Sequence, residues 1–193
     1  LLSWFKHRFF KWVNNEACAA CGSTSTANAG AARPNPQEAQ YGAGVVELYK
    51  CNQCQATTRF PRYNHPGKLL ETRKGRCGEW ANCFTACCVA MGFEARHVVD
   101  WTDHAFVRGS LTAVGGGARQ GRWIHMDCCE DCWDVPLLYS GGWNKKLTYC
   151  IAFSKEEVVD VTCRYSRQWE QCKARRTKCP ELWLAQTIMV FRV

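Results

Sequence analysis

Cys77 is the residue whose type and position point most directly to chemistry. Apolar residues spaced three and four apart predict a helix that begins at Cys77 and stops at Gly92. A thiol in the first turn of a helix lies at the positive end of the helix dipole, which favours the nucleophilic thiolate. The alternative is a small buried apolar side chain, a common role for cysteine in a chain that carries 15 of them. The predicted apolar face comprises Trp80, Cys83, Phe84, Cys87, Cys88 and Met91.

A nucleophilic cysteine needs a base, and the chain offers five histidines. His104 lies near the start of a predicted strand, and Asp127 ends another strand that can pair beside it. A cysteine on a helix, with histidine and aspartate on neighbouring strands, would converge in space although the residues are far apart in sequence. Spacing alone leaves other choices open: His125 as the base, and Asp100, Asp103, Asp131 or Asp134 as the residue that orients it.

Two Cys-x-x-Cys pairs predict a metal site near the start of the chain. Cys18 and Cys21 form the first pair, and Cys51 and Cys54 form the second. Each pair on a short turn can present two thiolates to one tetrahedral ion, so we expect one structural zinc. Redox disulfides and a chance arrangement are the alternatives. Strands at 45–50 and 56–60 would complete a zinc ribbon, whereas the polar stretch between the pairs, with its two prolines, predicts a flexible insertion.

Composition sets limits on the class of protein. A chain of 193 residues with 47% apolar and 12% aromatic residues predicts one compact globular unit, and no apolar run approaches the length of a membrane span. The net charge of +8 is spread along the chain, which favours a solvated basic surface over a nucleic-acid partner. The odd number of cysteines favours a reducing compartment. The chain begins with leucine and shows no signal peptide, so we interpret it as a fragment.

The remaining pattern predicts an α+β fold. Residues 1–14 read as a basic amphipathic helix, which we expect to pack on the core instead of lying on a membrane surface. Strands are expected at 93–101, 102–107, 122–127, 147–153 and 158–165, with a final helix that has Pro180 at its first position. The glycine-rich stretch 113–121 suits a hairpin loop and lacks the lysine and serine or threonine of a phosphate loop.

Several long motifs, in order along the chain, resemble the cytoplasmic peptide:N-glycanases of the transglutaminase-like superfamily. The resemblance implies a papain-type core in which a nucleophile helix packs on an antiparallel sheet, together with a four-cysteine zinc ribbon. It runs from the N-terminal helix to about Tyr165. The motifs are 68–73 (KLLETR), 75–84 (GRCGEWANCF), 102–104 (TDH), 122–127 (RWIHMD) with Cys129 and Glu130, 136–139 (PLLY), 142–147 (GWNKKL) and 160–165 (DVTCRY).

This resemblance implies roles that spacing leaves open. Cys77 would be the nucleophile, His104 the base and Asp127 the residue that orients it. Glu130 and Trp80 would contact substrate, and the two cysteine pairs would hold one zinc. The implied units are an N-terminal helix (1–16), a zinc module (17–60) with its flexible insertion (23–44), a catalytic core (61–170) and a basic C-terminal segment with a helix (171–193).

The implied activity is an amidase reaction through a thioester. The enzyme would remove N-linked glycans from asparagine of unfolded glycoproteins, leaving aspartate, in the cytoplasmic quality control of misfolded glycoproteins, with proteasome shuttle factors as partners. Alternatives are a transglutaminase that passes the acyl group to an amine, a binding module like the DNA-damage recognition proteins that share this core, and a silent homologue. Three departures from the motif bear on the cleft: Phe106 in place of tryptophan, Arg108 in place of an acid, and Cys128 in place of proline or serine. Cys129 and Cys132 form a further pair, interpreted as reduced packing residues with an oxidation-sensitive pair as the alternative.

Overall fold

A computed structural model describes residues 1–111 and 122–191. The chain begins with a short helix, α1 (Leu2–Trp4), which continues as a π-helical turn (Phe5–Phe9). Helical structure ends there because Phe10 is extended, so the predicted helix over 1–14 is too long. Its apolar side nevertheless packs on the core, since the ring of Phe5 is fully buried with its centroid 5.1 Å from that of Phe84.

The cysteine pairs lie beside a three-stranded antiparallel sheet, here called the cysteine-pair sheet, and Cys51 is the last residue of its central strand. It contains β2 (Thr26–Ala32), β3 (Val46–Cys51) and β4 (Thr57–Pro61), with β3 in the centre and a one-turn helix α2 (Pro36–Ala39) before it. The flexible insertion expected at 23–44 is therefore wrong in part, because β2 is an edge strand of this sheet. Backbone hydrogen bonds to β3 stabilise an edge strand even when its side chains are small and exposed.

Next come α3 (Pro66–Thr72), the two-residue strand β5 (Lys74–Gly75) and the long helix α4 (Cys77–Ala90). Strand β5 pairs in parallel with β1 (Lys11–Trp12), so the N-terminal segment lies beside the residues that lead into α4. The prediction that a helix begins at Cys77 is confirmed. Gly92, which follows it, has φ of +83°, and this left-handed conformation ends helices and favours glycine.

The central sheet has six antiparallel strands in the order β11-β10-β6-β7-β8-β9. Helix α4 packs on one face, where an apolar cluster includes Phe84, Val107 and Ile124. The other face holds a second cluster that includes Phe106, Tyr139 and Tyr165. The strands are β6 (Ala95–Asp100), β7 (His104–Leu111), β8 (Arg122–Asp127), β9 (Cys132–Trp133), β10 (Cys150–Phe153) and β11 (Val158–Asp160).

Strand β11 is shorter than the predicted strand 158–165. The Asp160 carboxylate accepts the Thr162 N–H at 2.9 Å, and the chain turns into α5 (Thr162–Tyr165). Two more helices follow, α6 (Trp169–Ala174) and α7 (Glu181–Met189), and Pro180 caps α7 one residue before its first turn. A second π-helical turn (Leu138–Gly142) covers the sheet beside α5. The predicted loop at 113–121 lies outside the described residues.

The α+β class expected from the sequence is confirmed by this arrangement of helix α4 on an antiparallel sheet. Within 1–111 and 122–191, the structure contains no helix that combines the length and apolar character needed to cross a membrane.

Candidate active site and metal site

Hydrogen bonds to the N-terminal segment and to β5 hold the start of helix α4. The Val13 N–H donates to the Gly75 carbonyl at 3.0 Å, and the Trp80 Nε1–H donates to the same oxygen at 3.2 Å. Inside the first turn, the Glu79 carboxylate accepts the Arg76 N–H at 3.0 Å. Cys77, the first residue of the helix, is half-buried. The backbone that carries its thiol is thus fixed on both sides.

Ion pairs join the cysteine-pair sheet to the same helix start. The Arg76 guanidinium donates to both oxygens of Glu47 on β3, at 2.6 and 2.7 Å. Arg62, directly after β4, donates to Glu47 at 2.9 Å and pairs with Glu79 through two nitrogens. Bidentate pairs of this kind fix geometry as well as charge. The hydrogen bonds from Arg76 are the largest influence on Glu47 and hold its pKa at about 2.

His104 is positioned by the tight turn between β6 and β7. The Asp100 carboxylate accepts the Thr102 N–H at 2.9 Å and its hydroxyl at 2.7 Å, and Asp103 adopts a left-handed conformation with φ of 69°. Aspartate tolerates this region better than most residues because its short side chain can hydrogen-bond locally. The turn places His104 as the first residue of β7.

Strand register brings Asp127 to the same face as His104. Val107 pairs with Met126, so Asp127 lies across from Phe106, and His104 lies two residues before Phe106. His104 Nε2 is 2.7 Å from Asp127 Oδ2. The other oxygen, Oδ1, accepts the backbone N–H of Cys129 at 2.8 Å. Burial alone would raise the pKa of Asp127, but the hydrogen bond and charge of His104 outweigh it and the pKa is lowered.

His104 is electrostatically coupled to Cys77. Burial alone would lower the pKa of His104, yet the hydrogen bonds and charges of Asp127 and Cys77 raise it to about 9. Because Nε2 faces Asp127, the ring nitrogen left for the Cys77 thiol is Nδ1. The structure thus brings together the thiol of Cys77, the imidazole of His104 and the carboxylate of Asp127, in that order. Such a set can carry out acyl transfer.

The alternative site residues are engaged elsewhere. His125 is 1% exposed, and burial lowers its pKa to about 4; it contacts the Tyr139 hydroxyl. Each alternative aspartate that could orient a base has another role or partner. Asp100 binds Thr102 and Lys145, Asp103 forms the turn, Asp131 lies 3.1 Å from His7, and Asp134 pairs with Arg122 and Arg164.

The two residues expected to contact substrate lie along one groove of about 340 Å³. Glu130 is exposed beside Asp127, to which its backbone N–H donates at 3.3 Å. Trp80 is only 3% exposed and packs its indole edge against Phe5 and Phe10. Most of its surface is therefore core, and only a small part can reach a ligand. Trp12, which is 46% exposed, also lines the groove.

The three departures from the family motif do not line this groove. Phe106 is fully buried behind His104, with its ring centroid 4.9 Å from that of Tyr139. Arg108 is 9% exposed at the far end of β7, near the indole of Trp123. Cys128 is fully buried, and burial raises its pKa. All three side chains are buried in or beside the sheet and lie outside this groove.

Two residues beside His104 were not singled out by the sequence pattern. Trp143 has its ring centroid 5.3 Å from that of His104 and is 41% exposed. Tyr139 is fully buried, and its hydroxyl lies 2.7 Å from Asp127 Oδ2. Both fall within or next to motifs quoted above, but their roles depend on how the segment after β9 folds back on the sheet.

The four predicted metal ligands form one cluster. The Sγ atoms of Cys18, Cys21, Cys51 and Cys54 all lie within 4.8 Å of one another. The two turns are alike: the Gly22 N–H donates to the Cys18 carbonyl, the Gln55 N–H donates to the Cys51 carbonyl, and both donor residues have positive φ. All 15 cysteines, each within the described residues, are free thiols. The cluster could hold one metal ion.

The sequence of this chain is similar to those of several known proteins. A relative from Mus musculus is 56% identical over 188 residues, which is 97% of this chain and 28% of the relative. The Homo sapiens relative has the same identity and coverage, and one from Saccharomyces cerevisiae is 47% identical over 88% of this chain and 46% of its own length. All three carry the name peptide-N(4)-(N-acetyl-beta-glucosaminyl)asparagine amidase. The chain thus spans 28% of the length of the mouse and human relatives.

A family model described as the transglutaminase-like superfamily matches residues 24–128. The matched range covers more than half of the chain. It includes the cysteine-pair sheet, helix α4 and strands β6 to β8, and it contains all three residues of the candidate triad.

Proposed function

Because the chain belongs to the transglutaminase-like superfamily, we propose that it is an amidase that removes N-linked glycans from asparagine side chains. The observation that carries this proposal is the set formed by Cys77, His104 and Asp127, in a chain 47–56% identical to proteins named for that activity. The substrate class follows from those names, and the catalytic roles follow from the geometry.

The first step is attack by the Cys77 thiolate on the side-chain amide carbon of the glycosylated asparagine. His104 holds the proton taken from the thiol as an imidazolium, which Asp127 stabilises through Nε2. The backbone N–H of Cys77 belongs to the first turn of α4, where N–H groups lack an intrahelical acceptor. It is positioned to donate to the developing oxyanion, an interaction worth roughly 3 kcal/mol per donor.

Collapse of the tetrahedral intermediate breaks the amide C–N bond. His104 gives its proton to the departing nitrogen, and the glycan leaves as a glycosylamine. A thioester between Cys77 and the former asparagine remains. His104, now neutral, takes a proton from water as the water attacks the thioester. The peptide then carries aspartate, and the Cys77 thiol and the histidine return to their starting states.

We further propose that the four-cysteine cluster holds one structural zinc. Thiolates are soft ligands that zinc accepts, and four of them form the closed tetrahedral set typical of structural sites. Tetrahedral Zn–S geometry places sulfurs roughly 3.8 Å apart. The Cys18–Cys54 and Cys21–Cys51 sulfur pairs are 3.5 and 3.6 Å apart, which suits that geometry. Fixing β3 and β4 would also fix the ion pairs that hold α4.

The substrates would be unfolded glycoproteins, with the chain acting in the cytoplasm during quality control of misfolded glycoproteins. An asparagine held in a compactly folded glycoprotein would not reach the half-buried Cys77 or the groove lined by Trp80 and Glu130. Glu130 and the exposed edge of Trp80 would contact the substrate in that groove. The free thiols are consistent with a reducing compartment. Proteasome shuttle factors are the proposed partners.

The deciding experiment is incubation of the reduced protein with a denatured N-glycopeptide, followed by mass spectrometry of both products. We expect the intact glycan to be released and the asparagine mass to rise by about 1 Da as amide becomes acid. Cys77→Ala should lose the reaction, whereas Cys163→Ser, which removes an exposed thiol on α5, should retain it. An added primary amine tests the alternative, because a transglutaminase would transfer the acyl group to the amine. No release from any unfolded substrate would overturn the proposal.

A further inference from the structure

Tyr139 lies behind the candidate triad and contacts two of its members. Its hydroxyl is 2.7 Å from Asp127 Oδ2, the same oxygen that binds His104 Nε2 at 2.7 Å. Its ring meets the imidazole of His104 edge-on, with centroids 5.1 Å apart. The residue is fully buried, so neither contact is exchanged with bulk water.

The chemistry of the neighbours fixes the direction of each hydrogen bond. A carboxylate can only accept, so the Tyr139 hydroxyl donates its single proton to Asp127. The hydroxyl oxygen lies 3.3 Å from His125 Nε2 and must accept from it, which assigns the proton of neutral His125 to Nε2. This agrees with His125 Nδ1, which is buried and has no hydrogen-bond partner within the described residues.

The backbone holds this tyrosine in place from both sides. Tyr139 lies in the π-helical turn Leu138–Gly142, and its carbonyl accepts the Lys145 N–H at 2.9 Å. The next residue, Ser140, donates its hydroxyl to the Tyr165 carbonyl at 2.7 Å. The phenol is therefore fixed by the fold and is not free to swing away from Asp127.

We propose that Tyr139 is a positioning residue of the triad: its hydroxyl fixes the Asp127 carboxylate, and through Asp127 it sets the orientation and basicity of His104. The inference rests on the proposed function for its catalytic meaning. The hydrogen-bond chain itself, from His125 through Tyr139 and Asp127 to His104, stands on geometry alone.

The groups that face His104 are few, so the effect of Tyr139 can be isolated. Asp127 on β8 and Cys77 on α4 contact it directly, and Tyr139 packs against its ring. His125 lies behind Tyr139, and the remaining charged neighbours, Asp100 with its partner Lys145, lie at the strand pair before the turn. Burial and the charge of Asp127 raise the pKa of Tyr139, so the phenol remains a donor throughout the working pH range.

The test compares Tyr139→Phe with Tyr165→Phe. Both tyrosines are fully buried and pack on Phe106, but the Tyr165 hydroxyl is buried without a hydrogen-bond partner. Each variant removes one hydroxyl and keeps the ring, so Tyr165→Phe controls for the loss of a buried oxygen. Thermal unfolding should show both variants folded.

The primary measurement is the NMR titration of the His104 imidazole, which needs no substrate. Removing the donor from Asp127 concentrates charge on Oδ2 and strengthens its hold on the imidazolium. We expect the His104 pKa in Tyr139→Phe to rise by about half a unit, the size expected from one net hydrogen bond. It should be unchanged in Tyr165→Phe. Equal titration of His104 in all three proteins would overturn the inference.

Activity then separates this inference from the proposed function. With a denatured N-glycopeptide, Tyr139→Phe should lower kcat about tenfold with little change in KM, because substrate does not touch the buried phenol. The pH at which kcat/KM falls on the alkaline side should rise by the same amount as the His104 pKa measured by NMR. If the His104 pKa is shifted in Tyr139→Phe but the wild-type protein releases no glycan, the result would support the positioning role and reject the amidase activity. Unchanged kcat with a shifted titration would reject the catalytic part of the inference.

Discussion

Gly75 and Glu79 approach so closely that a β-carbon on Gly75 would lie 2.4 Å from the β-carbon of Glu79. The contact presses strand β5 onto the first turn of α4, just before Cys77. The same Glu79 carboxylate caps the Arg76 N–H and pairs with Arg62. Glycine at this position therefore allows one acid to join helix α4, the strand that leads into it and the cysteine-pair sheet.

Gly75→Ala should destabilise the protein and disturb the nucleophile together. The new methyl group would clash with the β-carbon of Glu79, which cannot move without the helix backbone that carries it. Overpacking of this kind typically costs about 2–3 kcal/mol of unfolding free energy. We expect a lower midpoint of thermal unfolding by circular dichroism. Gly78→Ala is the matched control, because a β-carbon there meets nothing within 4 Å and alanine favours helix. A Gly75→Ala variant as stable as wild type would contradict the contact.

The pH dependence should show an alkaline limit set by His104. Its pKa is raised to about 9, so the imidazolium persists through neutral pH and deprotonates as pH passes about 9. Above that pH no proton is available for the leaving nitrogen, so kcat/KM should fall. The stability contributed by the charged imidazole should be complete below about pH 6.5 and be lost as pH rises through 9. A fall in kcat/KM near pH 6.5 would instead mean that the pairing of His104 with Asp127 is weak.

Asp127→Asn should keep the fold and lose most of the activity. The amide can present its NH₂ to His104 Nε2 and favour the wrong tautomer, a change that costs roughly 10⁴-fold in kcat where the same arrangement occurs elsewhere. Asp134→Asn is the control, because Asp134 pairs with Arg122 at the surface and not with the histidine. Glycopeptide turnover by mass spectrometry measures both. Comparable activity in the two variants would exclude Asp127 as the orienting residue.

Metal removal should act on the nucleophile as well as on the cysteine-pair sheet. We expect about one zinc per chain by elemental analysis, and its loss in Cys54→Ser. Structural zinc contributes several kcal/mol, so the midpoint of unfolding should fall by about 10 °C or more. Cys163→Ser should retain both the metal and the stability. Absence of bound metal from the freshly purified, fully stable wild-type protein would contradict the assignment.

The sequence was most informative where local patterns decide the structure. The helix at Cys77 was predictable because its apolar spacing and Gly92 are local, and the cysteine cluster because each pair lies on one short turn. The placement of His104 beside Asp127 was not, since it depends on the register of β7 against β8. Resemblance supplied that choice, and the structure supplies the distance.

The sequence-based predictions that are wrong concern segments whose structure depends on pairing with distant parts of the chain. The stretch around β2 looked like a flexible insertion because its side chains are small and polar, yet the backbone of Thr26 and its neighbours pairs with β3. The pattern predicts too long an N-terminal helix because apolar residues continue past Phe9, where the chain instead extends to pair with β5. Tyr139 was overlooked because a hydroxyl behind a carboxylate leaves no periodic pattern in sequence.

The parallel pairing of β1 with β5 also bears on the order of folding. The Arg76 side chain donates to the Val13 carbonyl across 63 residues of sequence, so seating Cys77 requires closure of a long loop. The backbone hydrogen bonds of helix α4 and of the β6–β7 hairpin join residues close in sequence, so these elements can form before it. Refolding should therefore restore secondary structure first and the position of the Cys77 thiol last, and a chain lacking its first thirteen residues would fold with Cys77 never fixed in place.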